Sequence, residues 1–428
     1  MKKQLTIRYP VEKPGSFLIK KIMRYAIFSI CFGAAFALIV QAESAPADND
    51  SRWFTPTMVN ARANMFHPEL NCLLFQHMDK MFATRSVQAG EDIWQIPSSP
   101  VSIKGKFEFK GNAYNLKAFL EKTACNALLV IKDGRIIQEI YRNGSDEETT
   151  FISFSMAKSF VATLIGIALH EGKLKSLDDK VSEYLPEMKN SGYEDATIRD
   201  LLRMRSGVAW EEIYRFGSDT QLTRAHDDIL VAYRYRWCDY AAKETKRDRK
   251  PGEKFNYSTL DTSVLGCLLE RAIGMTGSQY MTEKIWKPAG MENDGYWIMD
   301  GPDSVGREFF GAGFNATLRD YGRFGLLMLR GGVGNGTQII PAEWVKKSTV
   351  PDEGYEPTAE GQALGYQYQW WTIPDSDAYL AIGLHNQFIY IDPKNNTVIV
   401  KLSHTPTPLG WEAENLAFFQ KLSDSLIK

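Results

Sequence analysis

The run Phe160-Val161-Ala162-Thr163-Leu164-Ile165-Gly166-Ile167-Ala168-Leu169 is apolar on nearly every side of a helix, so it belongs in the middle of a domain and not on a surface. What precedes it is unusual for a core. Ser155-Met156-Ala157-Lys158-Ser159 places two hydroxyls and a lysine at the mouth of that helix. A lysine in the first turn sits at the end of the helix dipole that repels cations, and burying it is costly.

On a helix, Ser155 and Lys158 are three residues apart and share a face. A serine hydroxyl is a weak nucleophile until a base takes its proton. Lysine serves as that base only when its pKa falls well below its free value of about 10.4. Burial and the positive end of a helix both push it down. The position is therefore poor for structure and suited to chemistry. Backbone N–H groups at the same helix start are also placed to stabilise an oxyanion. Alone, S-x-x-K fits a capped helix with a solvent-facing lysine equally well, so the rest of the chain has to decide.

The chain has 428 residues, enough for one large domain or two medium ones. Lys20, Lys21 and Arg24 precede an apolar run from Tyr25 to Val40, and Val40-Gln41-Ala42 supplies a small-residue cleavage pattern. Residues 1–42 thus read as a secretory signal peptide, with Met23 as a second start that would give a leader of ordinary length. The expected location is exported, periplasmic or secreted. The alternative is an uncleaved membrane anchor over residues 25–40, a short stretch for a span. Cys31 lacks the Leu-x-Gly-Cys setting of a lipoprotein signal. Residues 1–42 carry seven bases and one acid, so without them 43 bases face 51 acids, a net charge of −8. That balance argues against nucleic acid as a partner. The basic stretch over residues 243–254 alternates with acids and reads as a solvated loop. Cys72, Cys125, Cys238 and Cys267 remain, with no C-x-x-C pair and no metal-like spacing with histidine. Export permits a disulfide, but the spacing does not assign one.

Residues 43–60 are small, acidic and polar, and 43–125 read as an N-terminal extension with helices near 68–82 and 115–122. A hairpin follows: Asn126 to Ile131, the turn Lys132-Asp133-Gly134, and Arg135 to Tyr141. A second hairpin lies near the other end, with Tyr379 to Leu384, Gln387 to Ile391 and Thr397 to Leu402. An amphipathic helix is expected from Trp411 to Leu426. The middle is mostly helical, with an inserted helical region at about 185–310. Thr197-Ile198-Arg199-Asp200 and Thr317-Leu318-Arg319-Asp320 resemble capping boxes with Asp in place of Glu. Strands at both ends with helices between them predict an α/β domain over 126–428, three layers with one central antiparallel sheet flanked by helices.

A tyrosine in Pro251-Gly252-Glu253-Lys254-Phe255-Asn256-Tyr257-Ser258-Thr259-Leu260-Asp261-Thr262 lies between a turn and another apolar helix. Here the chain resembles the serine β-lactamase and penicillin-recognising hydrolase superfamily. It looks most like the esterase and 6-aminohexanoate-dimer hydrolase branch, related to class C β-lactamases. The resemblance spans roughly residues 125–428 and rests on the S-M-A-K-S helix, GYEDATIRDLLRMRSGVAWEE, PGEKFNYSTLDTSVLG, GAGFNATLRDYGRFG and AIGLHNQFIYIDP, in that order. It implies a β-lactamase-like fold, Ser155 as the acylated nucleophile, Lys158 as its base partner and Tyr257 as the second acid/base. It also implies an oxyanion hole from the backbone N–H groups of Ser155 and Leu384, with Tyr214, His385 and Asn386 on the substrate side. No metal or organic cofactor is implied, and the partner is a small-molecule ester or amide.

Three departures shape the substrate expectation. Tyr257-Ser258-Thr259 stands where β-lactamases usually carry Tyr-x-Asn, removing an amide that would hold an acylamino side chain. No Lys-Thr-Gly occurs; His385 and Asn386 occupy that place, which weakens any grip on a substrate carboxylate. No Ser-Asp-Asn or distant deacylating glutamate is found, which disfavours class A chemistry. Other hydrolase classes fit poorly. The chain has no G-x-S-x-G elbow, and its six histidines (67, 77, 170, 226, 385, 404) never form H-E-x-x-H. His385 reads equally well as a bland strand-end residue. The competing readings are a penicillin-binding or sensor module that acylates with little turnover, and a D-amino-acid peptidase or β-lactamase.

Overall fold

The computed structural model describes residues 50–351 and 364–426. The signal segment expected over 1–42 lies outside them. Among the described residues no helix is long and apolar enough to cross a membrane.

The two hairpins expected at opposite ends of the chain meet in one sheet of seven strands: β1 (Cys125–Lys132), β2 (Arg135–Tyr141), β3 (Gly365–Gln367), β4 (Trp370–Thr372), β5 (Tyr379–Gly383), β6 (Gln387–Asp392) and β7 (Thr397–Ser403). Their spatial order is β3-β4-β5-β6-β7-β1-β2, antiparallel throughout. The two chain ends join at β7 and β1, where Val400 pairs with Leu129 and Ile399 with Val130. Side chains alternate across a strand, so Leu129, Ile131, Ile389, Val398 and Val400 serve one core while Leu128, Val130, Phe388, Tyr390 and Ile399 serve another. Burial on both faces explains why these strands read as continuous apolar runs.

Helices complete the layers. On one face lie α1 (Ala157–His170), α2 (Thr259–Ile273) and α3 (Leu318–Leu329); on the other, α4 (Glu412–Ser425) packs Phe418, Phe419 and Leu422 against the sheet. Gly322 and Gly325 let α3 lie flat on the strands, since a Cβ at either would collide with Leu129 or Val398. α1 is buried from Ala157 to Ala168, as its composition predicted, and Phe160 stacks on Phe324 at 3.8 Å. The Thr197 capping box forms in full: Asp200 N–H donates to Thr197 Oγ1 at 3.1 Å, and Thr197 N–H donates to Asp200 Oδ2 at 2.9 Å. Thr317 accepts from the Asp320 N–H at 3.3 Å. The helix expected near 68–82 is broken into Asn71–Leu74 and a 3₁₀ turn, Met78–Lys80.

A second antiparallel sheet was not expected. It aligns Thr84–Val87, Gly295–Ile298, Phe314–Thr317 and Thr150–Ile152 in that order. Strands of three or four residues, mostly buried, are too short to display an alternation. This sheet delivers the chain into the segment that carries Ser155. Trp53, Met65, Phe75 and Phe82 of the N-terminal segment belong to the same core. Buried Arg62 fastens that segment, donating to the carbonyls of Trp53 (2.8 Å), Met81 (3.1 Å) and Val231 (2.9 Å).

A disulfide joins Cys238, in the helix Trp237–Glu244, to Cys267 in α2, with Cα atoms 6.5 Å apart; Cys72 and Cys125 are free. The bond closes a separation of 29 residues. Replacing both cysteines by serine is expected to lower unfolding free energy by about 3–4 kcal/mol, the chain-entropy value for such a loop. Urea denaturation of the two proteins checks it.

Candidate active site

The second sheet ends at Ile152, and three residues later Ser155 sits in a 3₁₀ turn, Phe154–Met156, that runs directly into α1. Phe154 adopts φ +43°, a left-handed backbone that is costly for a bulky residue. Its ring is held by Phe75 at 4.8 Å, His385 at 5.8 Å and Phe66 at 5.9 Å. Strain of this kind persists only where packing over-determines it, and the adjacent serine lines a cavity.

Lys158 is 1% exposed. Its Nζ lies 3.0 Å from Ser155 Oγ, 3.1 Å from Thr259 Oγ1 and 2.7 Å from Gly311 O. Burial lowers its pKa to about 8, with the negative charges of Glu212 and Asp261 opposing the shift. A buried, three-bonded ammonium near that value can become the neutral amine that accepts a proton from Ser155. Gly311 must be glycine at this spot, because a Cβ would press into Thr259.

Tyr257 precedes α2, and its ring centroid lies 5.0 Å from Lys158 Nζ. It stacks on Trp371 at 5.6 Å and meets Tyr366 edge-on at 6.0 Å. Burial raises its pKa well above the usual phenol value, with hydrogen bonding to Ser155 acting in the opposite direction. A phenol held neutral in this way is a proton donor. Ser258 caps α2, accepting from the Asp261 N–H at 3.0 Å. Asp261 is fully buried beneath the site, accepting from Tyr193 OH at 2.8 Å and Ser206 Oγ at 2.9 Å, and burial raises it to about 7.

Glu212 is the residue that sequence reasoning missed. Its carboxylate accepts from Thr259 N–H at 3.0 Å and Tyr214 OH at 2.9 Å, and also from the Thr259 hydroxyl and the Trp210 indole N–H. It thereby fixes Thr259, the residue standing in for the Asn of Tyr-x-Asn, against Lys158. The signal lay in the spacing: Trp210, Glu212, Tyr214 and Phe216 alternate inward while Glu211, Ile213 and Arg215 are exposed.

Strand β5 reaches the nucleophile turn because Gly383 has no side chain; a Cβ there would collide with Ser153 O and crowd Phe154. Leu384 follows it and lines the same narrow cavity as Ser155, Glu212 and Tyr214. His385 and Asn386 are not brought to that cavity. Both are buried, in left-handed conformations (φ +56° and +69°) that close the β5–β6 turn. His385 Nδ1 lies 2.6 Å from Thr405 O, its ring packs on Phe66, Phe75 and Phe154, and burial lowers its pKa to about 4. That histidine serves the turn behind Ser155.

A serine, a buried lysine and a tyrosine converge where an antiparallel sheet meets a helical region, and this constellation on this fold defines the β-lactamase family. The family model named Beta-lactamase matches residues 115–418, and the chain belongs to that family. It is a serine hydrolase of β-lactamase fold. Among its relatives, the 6-aminohexanoate-dimer hydrolase of Paenarthrobacter ureafaciens is 28% identical over 311 residues, 69% of this chain and 76% of that protein. Protein flp of Staphylococcus aureus is 23% identical over 307 residues, covering 65% of this chain and 59% of its own length. A Bacillus anthracis structure provisionally assigned as a 6-aminohexanoate-dimer hydrolase superposes with a TM-score of 0.77 at 25% identity, over 90% of this chain and all of that one. A family VIII carboxylesterase shares the fold, with a TM-score of 0.56 at 18% identity, over 72% of this chain and 94% of that one.

Proposed function

We propose that this protein is an exported hydrolase that cleaves a small ester or amide through an acyl-Ser155 intermediate. The single observation that carries this reading is the 3.0 Å approach of Lys158 Nζ to Ser155 Oγ inside a site from which water is largely excluded. Neutral Lys158 takes the Ser155 proton as the oxygen attacks the carbonyl carbon. The tetrahedral oxyanion rests on the backbone N–H groups of Ser155 and Leu384. Tyr257 protonates the departing alcohol or amine and recovers its proton through Lys158. Water then attacks the acyl carbon, its proton passes to the Tyr257–Lys158 pair, and Ser155 leaves reprotonated.

Export is supported by the leader-like residues 1–42 and is consistent with the Cys238–Cys267 bond. A largely apolar cavity beside Ser155 favours uncharged acyl groups. The relatives' names make linear amides of aminohexanoate one class worth assaying.

Intact-mass and peptide mapping after a fluorophosphonate should show one adduct, on Ser155. Ser153 hydrogen-bonds Phe154 O and Ser159 hydrogen-bonds Gln369 O, both buried, and should stay unmodified. An adduct on another serine with Ser155 free would overturn the mechanism. Steady-state turnover of a chromogenic ester separates a hydrolase from a sensor that gives one stoichiometric burst.

A further inference from the structure

The cavity beside Ser155 is walled by Met65, Phe66, Phe216, Leu222, Trp237 and Leu384, among other apolar groups. Of its polar members, Glu212 already accepts from Trp210, Tyr214 and Thr259, and the Tyr214 hydroxyl is engaged with Glu212. Two buried polar atoms of lining residues are left without a hydrogen-bond partner among the described residues, the Trp237 indole Nε1, which can only donate, and Nε2 of His226. His226 is the one of the two that can accept. It is 6% exposed, and its Nδ1 lies 3.1 Å from Asp227 Oδ1. A carboxylate only accepts, so Nδ1 carries a hydrogen, and in the neutral tautomer Nε2, on the opposite edge of the ring, would carry the lone pair. That Nε2 is buried and has no hydrogen-bond partner among the described residues. Its ring lies 5.5 Å from Phe66 and 5.3 Å from Phe216, which stack on each other at 3.7 Å. Buried polar atoms are nearly always satisfied, so an orphaned one on a cavity wall marks a place where a ligand atom would be welcome.

The local backbone is built to hold it there. His226 ends the helix Gln221–His226, where the chain enters a π-helical turn, Asp227–Val231. Such turns concentrate at functional sites because they re-aim a side chain at the expense of regular bonding. The carbonyl of Val231 in that turn accepts two bonds from buried Arg62, at 3.1 and 2.9 Å. Arg62 thus locks the π turn to the segment that supplies Met65 and Phe66 to the cavity wall.

We infer that the cavity is an acyl subsite with one polar end. The hydrocarbon part of the acyl group lies in the apolar slot, and His226 Nε2 accepts a hydrogen bond from a hydroxyl or amide N–H carried on that chain at a fixed distance from the carbonyl. This rests on the proposal that Ser155 is the acylated nucleophile.

The test uses the purified full chain and three matched series of p-nitrophenyl esters over a range of short acyl lengths: plain alkanoates, ω-hydroxyalkanoates, and ω-methoxyalkanoates, which accept but do not donate. At one chain length the hydroxy ester should show kcat/KM about tenfold above both partners, the scale of one added buried hydrogen bond. In His226→Phe and His226→Met that ratio should collapse to about one. No hydroxy preference at any length overturns the inference, as does a methoxy ester equal to the hydroxy ester, or a preference that survives in a folded variant. The wild-type series decides even where a variant does not fold. Ser155→Ala, assayed with the acetyl ester, reports separately on the nucleophile: turnover retained there sinks the mechanism, whatever the His226 ratios show.

Discussion

Lys158→Ala is expected to lower kcat for a short-chain ester by about 10²–10⁴-fold, the range of general acid–base assistance. The change removes the amine that lies 3.0 Å from Ser155 Oγ and is placed to take its proton. Tyr257→Phe should cost at least the lower bound of that range, since it removes the neutral phenol that donates to the leaving group. Because the two act as a unit, the double variant should be little worse than the poorer single one. The pH profile follows from the same geometry. Burial lowers Lys158 to about 8, so the protonated, inactive form dominates below that value and kcat/KM should rise with pH through one ionisation that belongs to the pair. Stability has the same sign. Between about 8 and the ordinary lysine pKa, the unfolded chain holds a proton that the folded chain has lost, so Lys158 favours folding increasingly as pH rises across that window. Its contribution is lost as pH falls through about 8. Lys158 also donates to Gly311 O and Thr259, so circular dichroism and melting must accompany the kinetics. Near-wild-type activity of Tyr257→Phe on both an ester and an amide would make the tyrosine structural and require another proton donor.

How much of this was legible in the sequence depends on whether a signal was local. Ser155, Lys158 and the buried helix behind them form one contiguous stretch, and a lysine at the mouth of an apolar helix contradicts local physics strongly enough to be seen. The sheet was legible because its hairpins are built from runs of five to eight residues bounded by turns. The second sheet was not, because its four short strands come from places as distant as Thr84 and Phe314 and no single window contains the pattern. Glu212 escaped for a related reason: what gives it meaning is Thr259, 47 residues away, and a carboxylate in an irregular segment looks solvated until its donors are known. His385 shows the converse case. Its position beside the expected oxyanion strand left a substrate contact and a bland strand-end residue equally open, and the three phenylalanines that enclose it come from the N-terminal segment and the nucleophile turn, which no local window contains. The N-terminal segment read as an extension, yet Phe66 and Arg62 help to shape the cavity wall, a role that only packing reveals.

Short-chain p-nitrophenyl esters are expected to be turned over with kcat/KM at least about 10²-fold above penicillins or cephalosporins. Two absences in the chain underlie the figure. A β-lactam presents a carboxylate that a Lys-Thr-Gly strand would pair, and here the equivalent place is a tight turn whose His385 is buried, neutral and bonded to Thr405. Leaving a buried charge without its partner costs about 2–5 kcal/mol, or roughly 30-fold to several thousandfold. A β-lactam also presents an acylamino group that an Asn in the third position of Tyr-x-Asn would hold. Thr259 stands there instead, and its hydroxyl and N–H are both turned to Glu212. Placing that carboxylate next to the substrate adds repulsion toward an anionic β-lactam, while a neutral ester carries no charge for it to repel. The comparison is a single assay run side by side: initial rates for p-nitrophenyl acetate and butyrate against nitrocefin at equal enzyme concentration. Raising the ionic strength should narrow the gap slightly, because part of it is repulsion between charges. A cephalosporin hydrolysed with kcat/KM equal to or above that of the esters would mean that an unrecognised cation reaches the site, and the ester reading would fall.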